Sequence, residues 1–163
     1  MSEITTYYLE MKNAAQLNGK DQPDQLSVVE VESDQFELNR FLYQLVGAEW
    51  QWTDKLALSD DDWKHYAEDK NLRTWVAYSQ GAIAGYYELN KQDNGVVEIA
   101  YFGLTPQCIG RGFGGYLLTH AINSAWGWEG TERVWVHTCS LDHESALANY
   151  TARGFEIYKT ETE

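Results

Sequence analysis

Hydrophobic residues in the first third of the chain arrive first in short β-type runs and then at helical spacing. Residues 4–11, ITTYYLEM, are rich in Thr and Tyr, and residues 26–31, LSVVEV, are rich in Val; both predict strands. The polar stretch between them, residues 12–25, carries Asn-Gly and Gln-Pro and predicts a loop or hairpin connection. Ser33 or Asp34 then caps a helix, with Glu37 three residues after Asp34 as the capping-box partner. Phe36, Leu38, Phe41, Leu42 and Leu45 supply its apolar side, and Gly47 ends it. An aromatic-bearing connection over residues 49–58 leads to Ser59, the cap of a second helix through about Glu68. Asp60, Asp61 and Asp62 lie favourably at its positive end.

From there the period shortens to two. Residues 73–79 and 82–90 predict strands around the hairpin signal Gln80-Gly81. Asp93-Asn94-Gly95 makes the next turn, and residues 96–104 complete an antiparallel meander. A helix over 112–125, a strand over 133–138, a helix over 142–153 and a last strand over 155–160 follow. Strand–helix–strand–helix–strand implies parallel neighbours joined by crossovers. The expected class is therefore α/β, an α+β mixed sheet that is antiparallel first and partly parallel later.

Length and composition narrow the compartment more than the chemistry. A chain of 163 residues is expected to be one domain over 1–163, large enough to bury a proper core. It holds no apolar run of 18 residues and no basic, apolar leader at its start, so neither a membrane span nor a secretory signal is expected. Cys108 and Cys139 form no metal or disulfide framework and read as reduced thiols of a cytoplasmic protein, with no metal expected. Acidic side chains outnumber basic ones by 25 to 12, and the first 70 residues hold 15 of the acids against 6 bases. Such a surface repels a phosphate backbone, which argues against nucleic acid and for a cationic substrate or partner. Simple solubility explains the same charge.

The chemistry concentrates in residues 96–118, VVEIAYFGLTPQCIGRGFGGYLL, where five of the thirteen glycines fall between Gly103 and Gly115. A strand, a proline stop, a glycine loop and a helix start expose several N–H groups at a positive helix end, which makes an anion site. Gly110, Gly112 and Gly115 also spell the dinucleotide fingerprint G-x-G-x-x-G, with Glu132 about 20 residues on. That fingerprint opens a doubly wound sheet, whereas only about 50 residues follow this loop and the strand before it leaves an antiparallel meander. A Walker A loop would need Gly-Lys-Ser/Thr, which is missing.

The order Gln107-x-x-Gly110-x-Gly112, followed by Phe113-Gly114-Gly115-Tyr116-Leu117-Leu118, resembles the acetyl-CoA loop of the GNAT (Gcn5-related N-acetyltransferase) superfamily. Gly85 within Ala82-Ile83-Ala84-Gly85-Tyr86 is similar to the family's central hairpin, and Glu98 to Pro106 to its fourth strand and proline. Ala146, Tyr150, Gly154 and Phe155 have the A-x-x-x-Y-x-x-x-G-F spacing of its last helix. Four motifs in order, from about Trp75 to Phe155, make the chain resemble a small bacterial-type, single-domain member. The resemblance implies a GNAT fold with a splayed acetyl-CoA-binding strand pair, acetyl-CoA as cosubstrate, and N-acetyl transfer to a primary amine by direct attack in a ternary complex.

Residue by residue, the resemblance implies that the N–H of Phe102 and the backbone of Leu104 align the thioester and the pantetheine arm. It implies that amides of Gln107, Cys108, Ile109, Gly110, Arg111, Gly112, Phe113 and Gly114 hold the pyrophosphate. Tyr150 matches the tyrosine that protonates the leaving thiolate. Seven residues before it, where the family often has Asn on the cofactor arm, stands His143. A lysine-like amine is neutral about once in 2,500 molecules at pH 7, a deficit of about 4.6 kcal/mol, so a base is needed. Glu98 matches the glutamate base of one branch of the family, with Glu88 and His137 as competitors; each also reads as an ordinary structural residue.

Tyr43, Trp50, Trp52, Trp63 and Tyr66 cluster around the two N-terminal helices, where the family shapes its acceptor groove. With the local acidity they suggest a pocket for a small cationic or aromatic amine, with Glu88 and His137 reaching it; core plugging explains at least half of the tryptophans. Two other functions stay open: protein or peptide N-acetylation, and CoA binding without turnover. Family members commonly end with one more strand, and this chain stops eight residues beyond Phe155. Residues 4–11 are therefore expected to fill that sheet-edge position, within the chain or by exchange in a homodimer.

Overall fold

A computed structural model describes residues 3–50, 52–142 and 145–163, of Glu49 the backbone only. Seven strands form one sheet: β1 (Thr5–Met11), β2 (Leu26–Val31), β3 (Leu72–Ser79), β4 (Ala82–Lys91), β5 (Val96–Leu104), β6 (Arg133–Cys139) and β7 (Glu156–Thr162). Four helices flank it: α1 (Phe36–Gly47), α2 (Asp60–Ala67), α3 (Phe113–Gly127) and α4 (Ser145–Ala152). The mixed α/β class and the meander expected from sequence are both present. No described helix is long and apolar enough to cross a membrane.

Period-two alternation sorts each central strand between two cores. Trp75 and Ala77 of β3 and Tyr87 and Leu89 of β4 pack with Leu117, Leu118, Ala121 and Ile122 of α3. Val76 and Tyr86, one residue out of phase, pack with Leu42 and Val46 of α1 on the opposite face. Gly85 is required here: a Cβ on it would sit 2.5 Å from the carbonyl oxygen of Gly103 on β5.

Helix α2 begins as expected, with Ser59 and Asp62 exchanging capping-box bonds. Helix α1 does not. Its N-cap is Gln35, without a side-chain bond, because residues 32–35 carry the chain from sheet to helix layer and the first turn starts too late for Ser33 or Asp34. Its buried stripe is Asn39, Leu42, Tyr43 and Val46, while Phe41 is 50% exposed. A polar residue in that stripe disguises the true phase in the sequence.

The order of the sheet is β2-β3-β4-β5-β6-β1-β7. The expectation of parallel neighbours holds for β5 and β6 and is corrected for β6 and β7: β1 lies between them and runs antiparallel to both. Residues 4–11 do lie beside the C-terminal strand, yet inside the sheet; β7 is the edge. Leu9 and Met11 of β1 are fully buried in the core, which fixes the register and excludes an edge position for that face.

Candidate active site

The site starts from a fault in the sheet. Strands β5 and β6 pair in parallel only at Val96–Glu98 with Arg133–Trp135. Opposite them, the β4–β5 register jumps between Leu89↔Ile99 and Glu88↔Tyr101, leaving Ala100 as a bulged extra residue. A bulge bends its strand and raises the local twist, so β5 leaves β6 from Ile99 onward and a cleft opens between them.

Backbone groups face that cleft by simple alternation. The N–H of Thr105 donates to the carbonyl of Ala84 at 2.8 Å, which fixes the hydrogen-bonding phase of the β4–β5 ladder. Gly103 and Tyr101 then bond to β4, and the N–H and C=O groups of Phe102 and Leu104 point the other way, into the gap.

Beyond Thr105 the chain forms one 3₁₀ turn, Pro106–Cys108, and then a loop ending at Gly112, the cap of α3. Gly110 and Gly112 have φ of 85° and 82°, and a Cβ on either would meet nothing within 4 Å; glycine is needed for conformation rather than for space. The N–H groups of Gly110, Arg111 and Gly112 have no hydrogen-bond partner among the described residues, at the positive end of a 15-residue helix. Two neighbours expected to join them are otherwise engaged. The Cys108 N–H donates to Thr105 and the Ile109 N–H to Pro106, at 2.9 and 3.4 Å, closing the 3₁₀ turn, and the Cys108 side chain is buried in the core. That removes both amides from the pyrophosphate set expected from sequence. Phe113 is also a core residue. Gln107 sits in the 3₁₀ turn; Gly114 and Ile109 line the cleft.

Positive charge gathers around the same helix start. The Arg111 guanidinium lies 4.8 Å above the Phe113 ring and donates to Gln25 at 3.3 Å. A Cβ on Gly115 would meet Arg153 Nη1 at 2.7 Å and Lys20 Cγ at 3.0 Å, so two cations flank the first turn. In a chain of net charge −13 these three offset the repulsion that a polyphosphate would otherwise meet.

Helix α4 brings Tyr150 to the cleft from below. It is 6% exposed, packed against Phe102 and Phe155 at ring separations of 6.2 and 6.1 Å. Burial, with Asp142 adding to it, pushes its hydroxyl pKa well up, so the phenol keeps its proton at neutral pH. The neighbouring Asn149 donates to the Gly114 carbonyl at 3.1 Å and ties α4 to the start of α3.

The opposite wall is built of side chains. Tyr43, Trp52 and Tyr101 pack with ring centroids 5.1 to 5.7 Å apart, and Trp50, Asp54, Lys55 and Tyr66 line the cavity with them. Trp52 Nε1 donates to Asp142 Oδ1 at 3.3 Å, bridging from the α1–α2 loop to the β6–α4 loop across the cleft. Asp142 is itself held by Thr138 Oγ1 at 2.6 Å and the Cys139 N–H at 3.1 Å. The cleft cavity, open to solvent on one side, measures about 1090 Å³ and is lined from the glycine loop to Tyr43.

Between the walls stand Glu98 and His137. Glu98 Oε1 accepts from Gln92 at 3.0 Å, and Oε2 lies 3.5 Å from His137 Nδ1. That carboxylate raises the His137 pKa above the usual imidazole value, against a smaller opposing effect of burial. Glu88, expected to reach the acceptor, does not line the cavity. It is 1% exposed, accepts from Asn39 Nδ2 at 2.9 Å and from the Tyr66 hydroxyl, and burial raises its pKa. It lies behind Tyr66, on the buried side of the wall. His143 falls outside the described residues. The expected site residues Tyr150, Glu98, Phe102, Leu104, Tyr43, Trp50, Trp52 and His137 all line one cavity.

The model of the "Acetyltransferase (GNAT) family" matches residues 39–155, more than half of the chain. The chain belongs to the GNAT family. Solved structures agree in fold. A GCN5-related N-acetyltransferase from Kribbella flavida is 17% identical, with a TM-score of 0.70 over 97% of this chain and 56% of that one. One from Sphaerobacter thermophilus is 12% identical, with a TM-score of 0.74 over 96% of this chain and 49% of that one. A Bacillus cereus protein described as an IAA acetyltransferase is 26% identical, with a TM-score of 0.59 over 82% of this chain and 79% of that one. The chain thus spans only about half the length of the first two. Comparison with curated proteins gives no match. Within this GNAT domain, sequence reading missed Asp54, Lys55, Asp142 and Asn149 as cleft residues, and Lys20 and Arg153 as the cations beside the first turn of α3. Asn149, adjacent to Tyr150 in the last-helix motif, carried the one usable signal.

Proposed function

We propose that the chain transfers the acetyl group of acetyl-CoA to the primary amine of a small molecule, by direct attack in a ternary complex. The observation that carries this reading is the fault between β5 and β6. It brings backbone N–H groups, a protonated tyrosine and a carboxylate–imidazole pair to the walls of one cavity. The cradle fits the cosubstrate: open amides at Gly110, Arg111 and Gly112 match a pyrophosphate, and Arg111, Lys20 and Arg153 match its charge. Acetyl-CoA supplies the activated acyl group, a thioester with a thiolate leaving group.

The chain's own groups then divide the work. The cleft-facing N–H of Phe102 polarises the acyl carbonyl, where a preorganised donor outperforms water. His137, with Nδ1 held toward Glu98, presents its other ring nitrogen for the proton that the ammonium must lose. Tyr150 keeps its hydroxyl proton at neutral pH and donates it toward the departing sulfur. The Trp52–Asp142 bridge over the cleft supports a small acceptor over an extended peptide. Tyr150 in the same cavity as Glu98 supports turnover over passive CoA binding.

The test is a thiol-release assay with acetyl-CoA across a library of primary amines, run beside a binding measurement for CoA. Release with at least one small amine is expected. Binding without release from any amine would leave a CoA-binding module, and no binding would end the reading altogether.

A further inference from the structure

One cation in the cavity has no carboxylate at ion-pair distance among the described residues; the acid that feels its charge is the buried Glu88, behind the Tyr66 ring. Lys55 lies in the α1–α2 loop, where its N–H donates to the Tyr43 hydroxyl at 3.2 Å and its carbonyl accepts from Leu58 at 3.2 Å. Its ammonium sits 3.8 Å above the centroid of the Tyr66 ring and 5.6 Å from that of Tyr101, both cavity-lining residues. Among the described residues no carboxylate stands within 4.0 Å of it, and no side-chain hydrogen bond uses its protons, although the chain carries 25 acidic groups for 12 basic ones. Ring faces hold a cation in place and leave all three N–H donors unused. The seat itself is braced from behind, because the Tyr66 hydroxyl donates to the buried Glu88, which Asn39 also holds.

We propose that Lys55 anchors a carboxylate on the acceptor, so that the acceptor class is an amino-acid-like zwitterion with its primary amine directed to Glu98 and His137. This rests on the acetyl-transfer reading above and names the substrate side of that site. Three features of the cavity carry it. The donors of Lys55 are free to form charge-assisted bonds, which are the strong ones. Asp54 and Glu98 line the same cavity and suit the ammonium end of such a molecule. A purely cationic acceptor entering the aromatic box would meet Lys55 as a like charge, and displacing it would only exchange one cation–ring contact for another. The aromatic wall thus reads as a seat already taken by the chain's own cation, and the vacancy it offers is for an anion.

The experiment uses matched acceptors that share one amine: phenylalanine, phenylalaninamide and phenethylamine, with β-alanine and β-alaninamide as a smaller pair. Each is assayed by thiol release and, separately, titrated by tryptophan fluorescence and calorimetry against the protein and its Lys55→Met and Lys55→Arg variants. The carboxylate member of a pair is expected to exceed its amide by at least tenfold in kcat/KM, mostly through KM. Lys55→Met should bring that ratio to about one, Lys55→Arg should keep most of it, and the KM for acetyl-CoA should move less than twofold. Equal or better use of the amides by the unaltered protein overturns the proposal. So does a carboxylate preference that Lys55→Met leaves intact. If no acceptor releases thiol, the transfer reading fails, while the titrations still decide the anchor. Carboxylate-selective binding lost in Lys55→Met upholds it, and binding indifferent to the carboxylate, or no binding, ends it.

Discussion

The two walls of the cleft are made of different material. The C-terminal wall, from Phe102 through Gly114, offers main-chain groups: an N–H phase set by a β-ladder and glycines whose φ near 85° leaves amides bare. The N-terminal wall offers side chains: Tyr43, Trp52, Tyr66 and Tyr101, with Lys55 laid across two of the rings. Backbone groups are common to every sequence, so a wall built from them can hold one ligand type across divergent chains. Side chains carry the individuality, and the acceptor is read there. Damage to one wall should therefore register in acetyl-CoA parameters and damage to the other in acceptor parameters.

The largest effect should come from the one side chain that the first wall cannot replace with backbone. Tyr150→Phe is expected to cut the rate of thiol release by about 100-fold, the lower range for a lost general acid, while CoA binding and the unfolding midpoint stay close to those of the parent. The Phe102 and Phe155 contacts are ring contacts that phenylalanine keeps. Release within threefold of the parent would move the proton source elsewhere, most simply to water.

Trp52→Ala tests the second wall. It deletes the hydrogen bond to Asp142 and the packing against Tyr43, Tyr86 and Tyr101, so a stability loss of about 3 kcal/mol is expected in urea unfolding. Acceptor KM should rise about tenfold by the loss of the bridge, with the KM for acetyl-CoA nearly unchanged. A parallel rise in both constants would show that the walls are not separable. Gly103→Ala is milder and sits on the seam. Its new Cβ would lie 2.5 Å from Val46 Cγ1, an overpacking of about 1–3 kcal/mol, and Val46→Ala in the same chain should recover most of it.

The same contrast explains what could be read before folding. Strands β2 and β5 begin and end where the alternation and the Asp93-Asn94-Gly95 turn place them, because those signals are local. The glycine loop is equally plain, since positive φ at Gly110 and Gly112 demands the residue. Position of β1 inside the sheet is not legible: Tyr8 pairs with His137 across 129 residues, and no local pattern encodes that. Glu88 looks from sequence like an active-site carboxylate, and only packing reveals that Tyr66 and Asn39 enclose it. Lys55 reads as one charge in a connection, because its meaning lies in rings from two other elements. Side-chain sites are assembled by tertiary contact, and their composition is visible long before their geometry.

The smallest expected effect falls on the pair that joins the walls, and its sign is fixed. Glu98 raises the His137 pKa, so the imidazole stays protonated to a higher pH than an isolated one, and the basic form appears only above that raised value. Glu98→Gln removes the leading cause and leaves the opposing effect of burial, with only the weaker upward pull of Asp142 and Asp54 against it. The acid limb of the pH–kcat/KM profile should then shift to lower pH, by up to about one unit, with less than tenfold change at the optimum. Stability should follow the same pair in the opposite sense. A raised folded pKa stabilises below the unfolded value near 6.5 and that contribution fades as pH climbs through the folded value, so the variant should lose most at pH 5–6 and least at pH 8–9. With His137 about half exposed, the difference is only about a few tenths of a kcal/mol, best seen as a pH-dependent gap between urea midpoints. An acid limb that stays in place while the stability gap appears would mean that His137 pairs with Glu98 without taking the amine's proton. The base would then be Glu98 itself, and activity in the Gln variant should fall at every pH rather than shift along the axis.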